Sequence, residues 1–190
     1  MPTALLAIFY FLAPYIVGID GYVTFAKLLL LGFVFAYTFL FPSLLVFWLY
    51  KRKHIESMKL EKLKDRRLPY LFSIISSGFL TIFFYQRGSQ LQPSAIVIGF
   101  ITVVIVFVAI ISLKWQISAH AAGISGILGA LFMLKVRFDE TALIWPFFIV
   151  LIISGLVLWA RLKLNSHSLS QVIAGFLLGL IISISGSLFI

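Results

Sequence analysis

Apolar residues in this chain come in long continuous runs separated by short polar breaks. Seven runs are legible, at about 4–18, 23–49, 70–86, 94–113, 118–135, 141–160 and 168–190. A helix needs about 20 predominantly apolar residues to cross the hydrocarbon core, and lipid admits no spanning structure except helices and closed barrels. The continuity of the runs favours helices, so the pattern predicts an all-α, polytopic transmembrane bundle of six to seven spans. All of 1–190 forms a single integral membrane domain, with 50–69 a basic loop leading into the third span. The first run is short and carries Pro14, which leaves it tilted, interfacial or only partly spanning. It lacks a basic stretch ahead of its apolar core and a clear small-residue cleavage site, which argues against a signal peptide. Pro42 interrupts the second run and predicts a kink there. No internal repeat is evident.

Seven crossings would gather the N-terminus, 50–69, 114–117 and 161–167 on one side, termed side A. Its connections hold Lys51, Arg52, Lys53, Lys59, Lys62, Lys64, Arg66, Arg67, Lys114, Arg161 and Lys163, whereas the opposite side B has Arg87, Lys135 and Arg137, with Lys27 near its edge. Basic loops face the cytoplasm as a rule, which makes side A cytoplasmic in a multi-pass protein of the cell (inner) membrane. Cations that bind substrate would bias such a comparison. Lys51, Arg52 and Lys53 stand furthest from any candidate chemistry, and they alone favour the same orientation.

Composition agrees with the pattern and removes several chemistries. Hydrophobic residues make up 62% of the chain, 20 residues are Phe and 11% are charged, against roughly 25% charged in soluble domains. The mean hydropathy is +1.14. With no cysteine there is no disulfide framework, thiolate nucleophile or thiolate-bound metal. Asp20, Glu56, Glu61, Asp65, Asp139 and Glu140 are the whole supply of carboxylates, and none lies deep in an apolar run. That argues against a carboxylate-bound dimetal site within the bilayer. No metal, cofactor or nucleic-acid partner is expected.

Against this apolar background, three polar clusters on side A carry candidate chemistry. In ARLKLNSHSLSQVIAGFLLG, residues 160–179, Arg161 ends one span, His167 begins the next, and Gln171 follows four residues on, along the same helical face. That spacing lets Gln171 hold the ring, and an imidazole whose Nδ1 proton is held keeps its Nε2 lone pair free for attack. The plainer reading makes Arg161 an interface marker and His167 and Gln171 a helix cap. Gly175 and Gly179 form a GxxxG pair suited to close helix packing. In KWQISAHAAGISGILGA, residues 114–130, Ser118 is a candidate N-cap that leaves backbone N–H groups and the positive end of the helix dipole facing side A, where a phosphate would bind. His120 in that turn could donate a proton to a leaving oxygen. The alternative is a small-residue packing stripe, Gly123, Gly126 and Gly129, with His120 at the interface. In KLEKLKDRRLPY, residues 59–70, several cations precede a proline-started helix and could neutralise a multiply charged anion. Such runs also serve as topology marks or anionic-lipid contacts.

Together the clusters resemble the type 2 phosphatidic acid phosphatases (PAP2), membrane relatives of the vanadium haloperoxidases, whose motifs are KxxxxxxRP, PSGH and SRxxxxxHxxxD. Arg161, five residues, His167, three residues and Gln171 match the third, with Gln171 where aspartate is expected and Ala160 in place of serine. Ser118, Ala119 and His120 match the second, with Ile117 in place of proline. Arg66 and Arg67 precede Leu68 and Pro69 in the first, with Lys62 and Lys59 as candidates for its lysine. The resemblance spans residues 59–179, and two spans separate each motif from the next.

What the resemblance implies is a metal-independent phosphatase with a phosphohistidine intermediate. His167 would attack phosphorus, and His120 would protonate the leaving oxygen and then activate water. Arg161, Arg66 or Arg67, and a lysine would hold the phosphoryl oxygens. The substrate would be a lipid phosphate whose tail stays in the bilayer: phosphatidic acid, phosphatidylglycerol phosphate, a polyprenyl pyrophosphate or lipid A. Gln171 can orient His167 but cannot stabilise its charged form, and among the side A carboxylates Glu56, Glu61 and Asp65, Asp65 is the candidate to restore that charge. A protein that binds or moves anionic lipid without hydrolysis is the second reading, and an unrelated transporter or scaffold a third. The Gly stripes fit contacts within or between chains, which leaves the oligomeric state open.

Overall fold

The fold is given by a computed structural model that describes residues 1–58, 60 and 62–190. Lys59 and Glu61, both named above, lie outside the described residues. Among those described there are seven α-helices and no strand: α1 (Pro2–Leu12), α2 (Thr24–Lys51), α3 (Arg67–Gln86), α4 (Gln92–Ile111), α5 (Ala119–Phe138), α6 (Ile144–Lys163) and α7 (Leu169–Gly186). Helices α2 to α7, with their flanking turns, are six segments long and apolar enough to cross a membrane. The protein is thus a multi-pass helical bundle, with large apolar side chains such as Phe25, Leu28, Trp145 and Ile152 turned outward. Such a surface suits lipid as solvent.

The first apolar run does not span. Helix α1 has 11 residues, about 16 Å at 1.5 Å per residue, and gives way at Pro14 to a 3₁₀ turn, Pro14–Val17. It packs inside the bundle, where Leu6, Phe9 and Tyr10 are fully buried. Gly18 then turns the chain with φ 74°, and a Cβ there would collide with the Gln90 carbonyl. The break expected at Pro42 takes the form of a π turn at Ala36–Leu40, just before the proline. Proline has no N–H to offer the carbonyl four residues back, and the ladder widens so that Phe41 N–H reaches the Ala36 carbonyl.

Contacts between connections fix which helix ends lie together. Tyr15 donates its hydroxyl to Glu140 at 2.7 Å and packs edge-on to Phe138. With Gly18 against Gln90, these place 13–23, 87–91 and 139–143 at side B. At the other end, Ser118 N–H donates to the Gln171 carbonyl, which joins the starts of α5 and α7.

Helix α5 is central: 56% of its most apolar window is buried, against 11% for α2. Its closest partner is α7, and glycine allows the approach. A Cβ on Gly175 would strike the Ser118 carbonyl, and one on Gly179 the Ala122 carbonyl and the Ser125 hydroxyl. Gly129 of the second stripe faces the Leu180 carbonyl and Ser183 in the same way, whereas Gly123 meets only the Met1 side chain. The GxxxG pair therefore works within the chain, bringing two backbones into contact below the side A surface.

Candidate active site

Two capped helix starts build the floor of the site. Ser118 leaves the helical conformation with ψ 101° and its hydroxyl accepts from Ala121 N–H at 3.4 Å. Ser168 caps α7 in a capping box: its hydroxyl accepts from Gln171 N–H at 3.4 Å, and Gln171 Oε1 accepts from Ser168 N–H at 3.1 Å. Each cap satisfies a first-turn amide that has no intrahelical partner. The Ser118 to Gln171 backbone bond, 3.2 Å, ties the two starts together, so His120 and His167 are carried by one rigid unit.

Above this floor opens a cleft of about 750 Å³. Four residues named from sequence line it: Arg66, His120, Arg161 and His167. They come from the lead-in to α3, the first turn of α5, the end of α6 and the turn before α7. Tyr70, Gln116, Asn165 and Ser166 add polar groups that the motifs gave no reason to expect, and Met58, Leu60 and Leu164 form an apolar rim. Asn165 adopts φ 50°, a left-handed turn that ends α6 and swings the chain toward His167.

His167 is the best-defined group. Its Nδ1 lies 3.1 Å from the main-chain oxygen of Gln116 and 3.3 Å from Gln171 Oε1. A main-chain carbonyl can only accept, so Nδ1 carries the proton and donates, and Nε2 is left with its lone pair. Gln171 Oε1 is identified as oxygen by the Ser168 N–H it accepts. Burial holds the His167 imidazole below its ordinary value, with Arg66 and Arg161 pressing the same way and the two acceptors opposing them. The ring is therefore held neutral, as a nucleophile requires.

The cations divide into two groups. Arg66 is buried, and its Nε donates to the Leu60 carbonyl at 2.7 Å, which turns the far end of the guanidinium toward the cleft. Arg161 has a buried Nε with no hydrogen-bond partner. Arg67 is exposed and lines an apolar groove between α3 and α4, which Arg66 and Tyr70 also border from the cleft side. Lys62 reaches away to Glu56, 2.5 Å, and both are exposed; that carboxylate holds the ammonium above its ordinary value. Neither Arg67 nor Lys62 lines the cleft. Ser118 is fully buried, its hydroxyl accepts the Ala121 N–H of the cap, and it does not line the cleft. Asp65 accepts the Glu56 N–H at 3.1 Å and does not line the cleft either. Asp65, expected as the counter-charge for His167, thus lies outside the cleft that holds that ring. Among the described residues no three acidic or histidine side chains stand together as a metal-ligand set.

No curated protein and no solved structure matches the chain. The model of the PAP2 superfamily does, over residues 66–189, a stretch that starts at the cleft arginine and takes in both histidines, Arg161 and Gln171. The chain belongs to the PAP2 superfamily.

Proposed function

We propose that the protein is a metal-independent membrane phosphatase that hydrolyses a lipid phosphate or pyrophosphate through a phosphohistidine at His167. Phosphate-ester hydrolysis is the chemistry of the superfamily, and the bundle supplies a bilayer-embedded setting for it. The observation that carries the finer reading is the His167 ring, with its proton on Nδ1 and its Nε2 free, in one cleft with His120, Arg66 and Arg161. In the first step Nε2 donates its lone pair to phosphorus as the bond to the leaving oxygen breaks, and His120 delivers the proton that oxygen needs. In the second, a water oxygen attacks phosphorus, His120 takes the water's proton, and the N–P electron pair returns to Nε2. Arg66 and Arg161 hold the phosphoryl oxygens throughout, where charge stabilisation is usually the largest contribution. Side A is the cytoplasmic side of the cell membrane in this reading, on the strength of its basic loops.

One feature favours a second reading, binding or movement of anionic lipid without hydrolysis: Gln171 stands where the family motif has a carboxylate. Phosphate release from a panel of lipid phosphates in detergent separates the two. The phosphatase reading expects release by the native protein and loss in His167→Ala and His120→Ala. No release from any substrate supports the binding reading instead, and release by both variants equal to that of the native protein sinks the phosphatase reading.

A further inference from the structure

We infer that the main-chain carbonyl of Gln116 is the principal group orienting His167, and that the Gln171 side chain is an auxiliary acceptor. The inference rests on the phosphatase reading for its consequence in catalysis, though not for the geometry.

Both acceptors meet the same ring nitrogen, yet they differ in distance, rigidity and prior commitment. The Gln116 oxygen is the nearer, 3.1 Å against 3.3 Å for Gln171 Oε1. It belongs to a peptide unit pinned from its other side, because the Ile117 N–H of that unit donates to the Trp115 carbonyl at 2.9 Å. The flanking chain is equally fixed. Trp115 N–H bonds back to Ile111 at 2.9 Å, Ile117 and Ser118 are buried, and Ser118 N–H is held by Gln171's own carbonyl. A backbone carbonyl in such a turn loses no side-chain entropy when it accepts a bond. Gln171 Oε1 is already engaged by Ser168 N–H at 3.1 Å and sits at the end of a side chain with several rotatable bonds. The orienting half of an aspartate's work is thus supplied by the backbone between α4 and α5. The charge-stabilising half is supplied by neither group, since both are neutral.

This assignment is why an amide at position 171 is tolerable, and it separates two effects that a carboxylate would combine. In a serine-protease triad, loss of the carboxylate costs about 10⁴ in rate, chiefly through the wrong histidine tautomer. Here the tautomer does not depend on residue 171.

The test uses the full chain in detergent, labelled with ¹⁵N-histidine, with His167 assigned by the signal lost in His167→Ala. Long-range ¹H–¹⁵N correlations report the tautomer, and turnover of a hydrolysed lipid phosphate gives kcat and KM. Two variants remove the side-chain acceptor: Gln171→Ala, and Gln171→Met, which keeps the side-chain length should alanine fail to fold. The expected result in either folded variant is an unchanged Nδ1–H tautomer and a fall in kcat of no more than about tenfold, the scale of one neutral hydrogen bond. A switch to the Nε2–H tautomer, or a loss near 10⁴ in a variant no less heat-stable than the cap-loss control Ser168→Ala, overturns it. Because the tautomer is read without turnover, a native protein that releases no phosphate sinks the phosphatase reading while leaving the orienting role decided by the spectra.

Discussion

Ser118 donates its backbone N–H to the carbonyl of Gln171 at 3.2 Å, and this bond makes the first turns of α5 and α7 one unit. Two residues along α5 from Ser118 is His120, and four before Gln171 is His167. The relative placement of the two histidines is therefore set by backbone contact between helices that glycine lets approach. The geometry of the histidine pair and the packing of the bundle share a cause.

Enlarging the glycines at that contact should damage stability and activity together. Gly175→Ala and Gly179→Ala each drive a methyl into a main-chain carbonyl of α5, which cannot yield as a side-chain tip can. Overpacking of this kind costs about 1–3 kcal/mol, so both variants should melt earlier in detergent, with turnover reduced even where the fold persists. Gly123→Ala is the control. Its Cβ would meet the Met1 side chain at 3.4 Å, an ordinary contact, and its melting temperature should stay close to that of the native protein.

Three of the candidate cations in the 59–70 cluster, Arg66, Arg67 and Lys62, should differ sharply. Both arginines border the α3/α4 groove, but of the two only Arg66 lines the cleft, and Lys62 pairs with Glu56. Loss of a charged hydrogen-bond donor to the transition state is worth about 3–4 kcal/mol, or roughly 100- to 1,000-fold, and Arg66→Ala should fall in that range. Arg67→Ala and Lys62→Ala should stay within about threefold, as expected for exposed groups with no part in the chemistry. An equal loss at Arg66 and Arg67, measured as kcat/KM on one substrate, would contradict this division.

The sequence made the spans, the sidedness of the clusters and the pairing of His120 with His167 legible, because each follows from periods and spacings along the chain. It left Arg66 and Arg67 equivalent, since adjacent residues differ only in direction, and direction depends on where Leu60 presents its carbonyl. Gln116 was invisible for a different reason. Its contribution is a main-chain oxygen, which every residue possesses, so no side-chain pattern could mark it. The apolar run 4–18 left open whether it crosses, since its length and Pro14 allowed a tilted, interfacial or partial span; Pro14 and Gly18 break it into a short helix and a turn buried among longer ones. Asp65 looked like a counter-charge only because few carboxylates were available, and its bond to the Glu56 amide takes it elsewhere.

Arg161 supplies a geometry that lysine cannot. Its Nε is buried and unpartnered, and a phosphoryl group seated in the cleft would accept from the guanidinium edge through two parallel bonds. Arg161→Lys keeps the charge but presents a point donor on a shorter reach. It should lose about tenfold to 100-fold in kcat/KM, roughly 1.4–2.7 kcal/mol. Full activity in the lysine variant would mean that charge alone suffices.

Membrane orientation is open to direct labelling because the chain has no native thiol. Ser57→Cys lies at the side A end and Ser89→Cys at the side B end. A cytoplasmic side A predicts that in intact cells an impermeant maleimide modifies Ser89→Cys and spares Ser57→Cys, with both modified after permeabilisation. The reverse pattern would put the cleft outside the cytoplasm, and the basic residues of side A would then be read as substrate ligands and not as topology marks.

The pH dependence follows from the same histidine. Attack requires neutral His167, and burial, Arg66 and Arg161 all hold its pKa below the ordinary 6.5. Because the folded-state value is lowered, the neutral nucleophile persists as pH falls through 6.5, and activity is lost only at the lower value. The acid limb of kcat/KM, which reports the free enzyme, should therefore fall below 6.5. Gln171→Glu is the informative comparison, since it keeps the side-chain length and the capping-box acceptor of Gln171 while placing a negative charge about where Oε1 now lies. A carboxylate there favours the imidazolium and must raise the His167 pKa. The acid limb should move to higher pH, and the phosphorylated ring, which carries positive charge while Nδ1 keeps its proton, should become longer-lived and more readily trapped by an alkaline denaturing quench, since the N–P bond is acid-labile. An acid limb unmoved by the added charge would mean that His167 is not the group titrating in the rate.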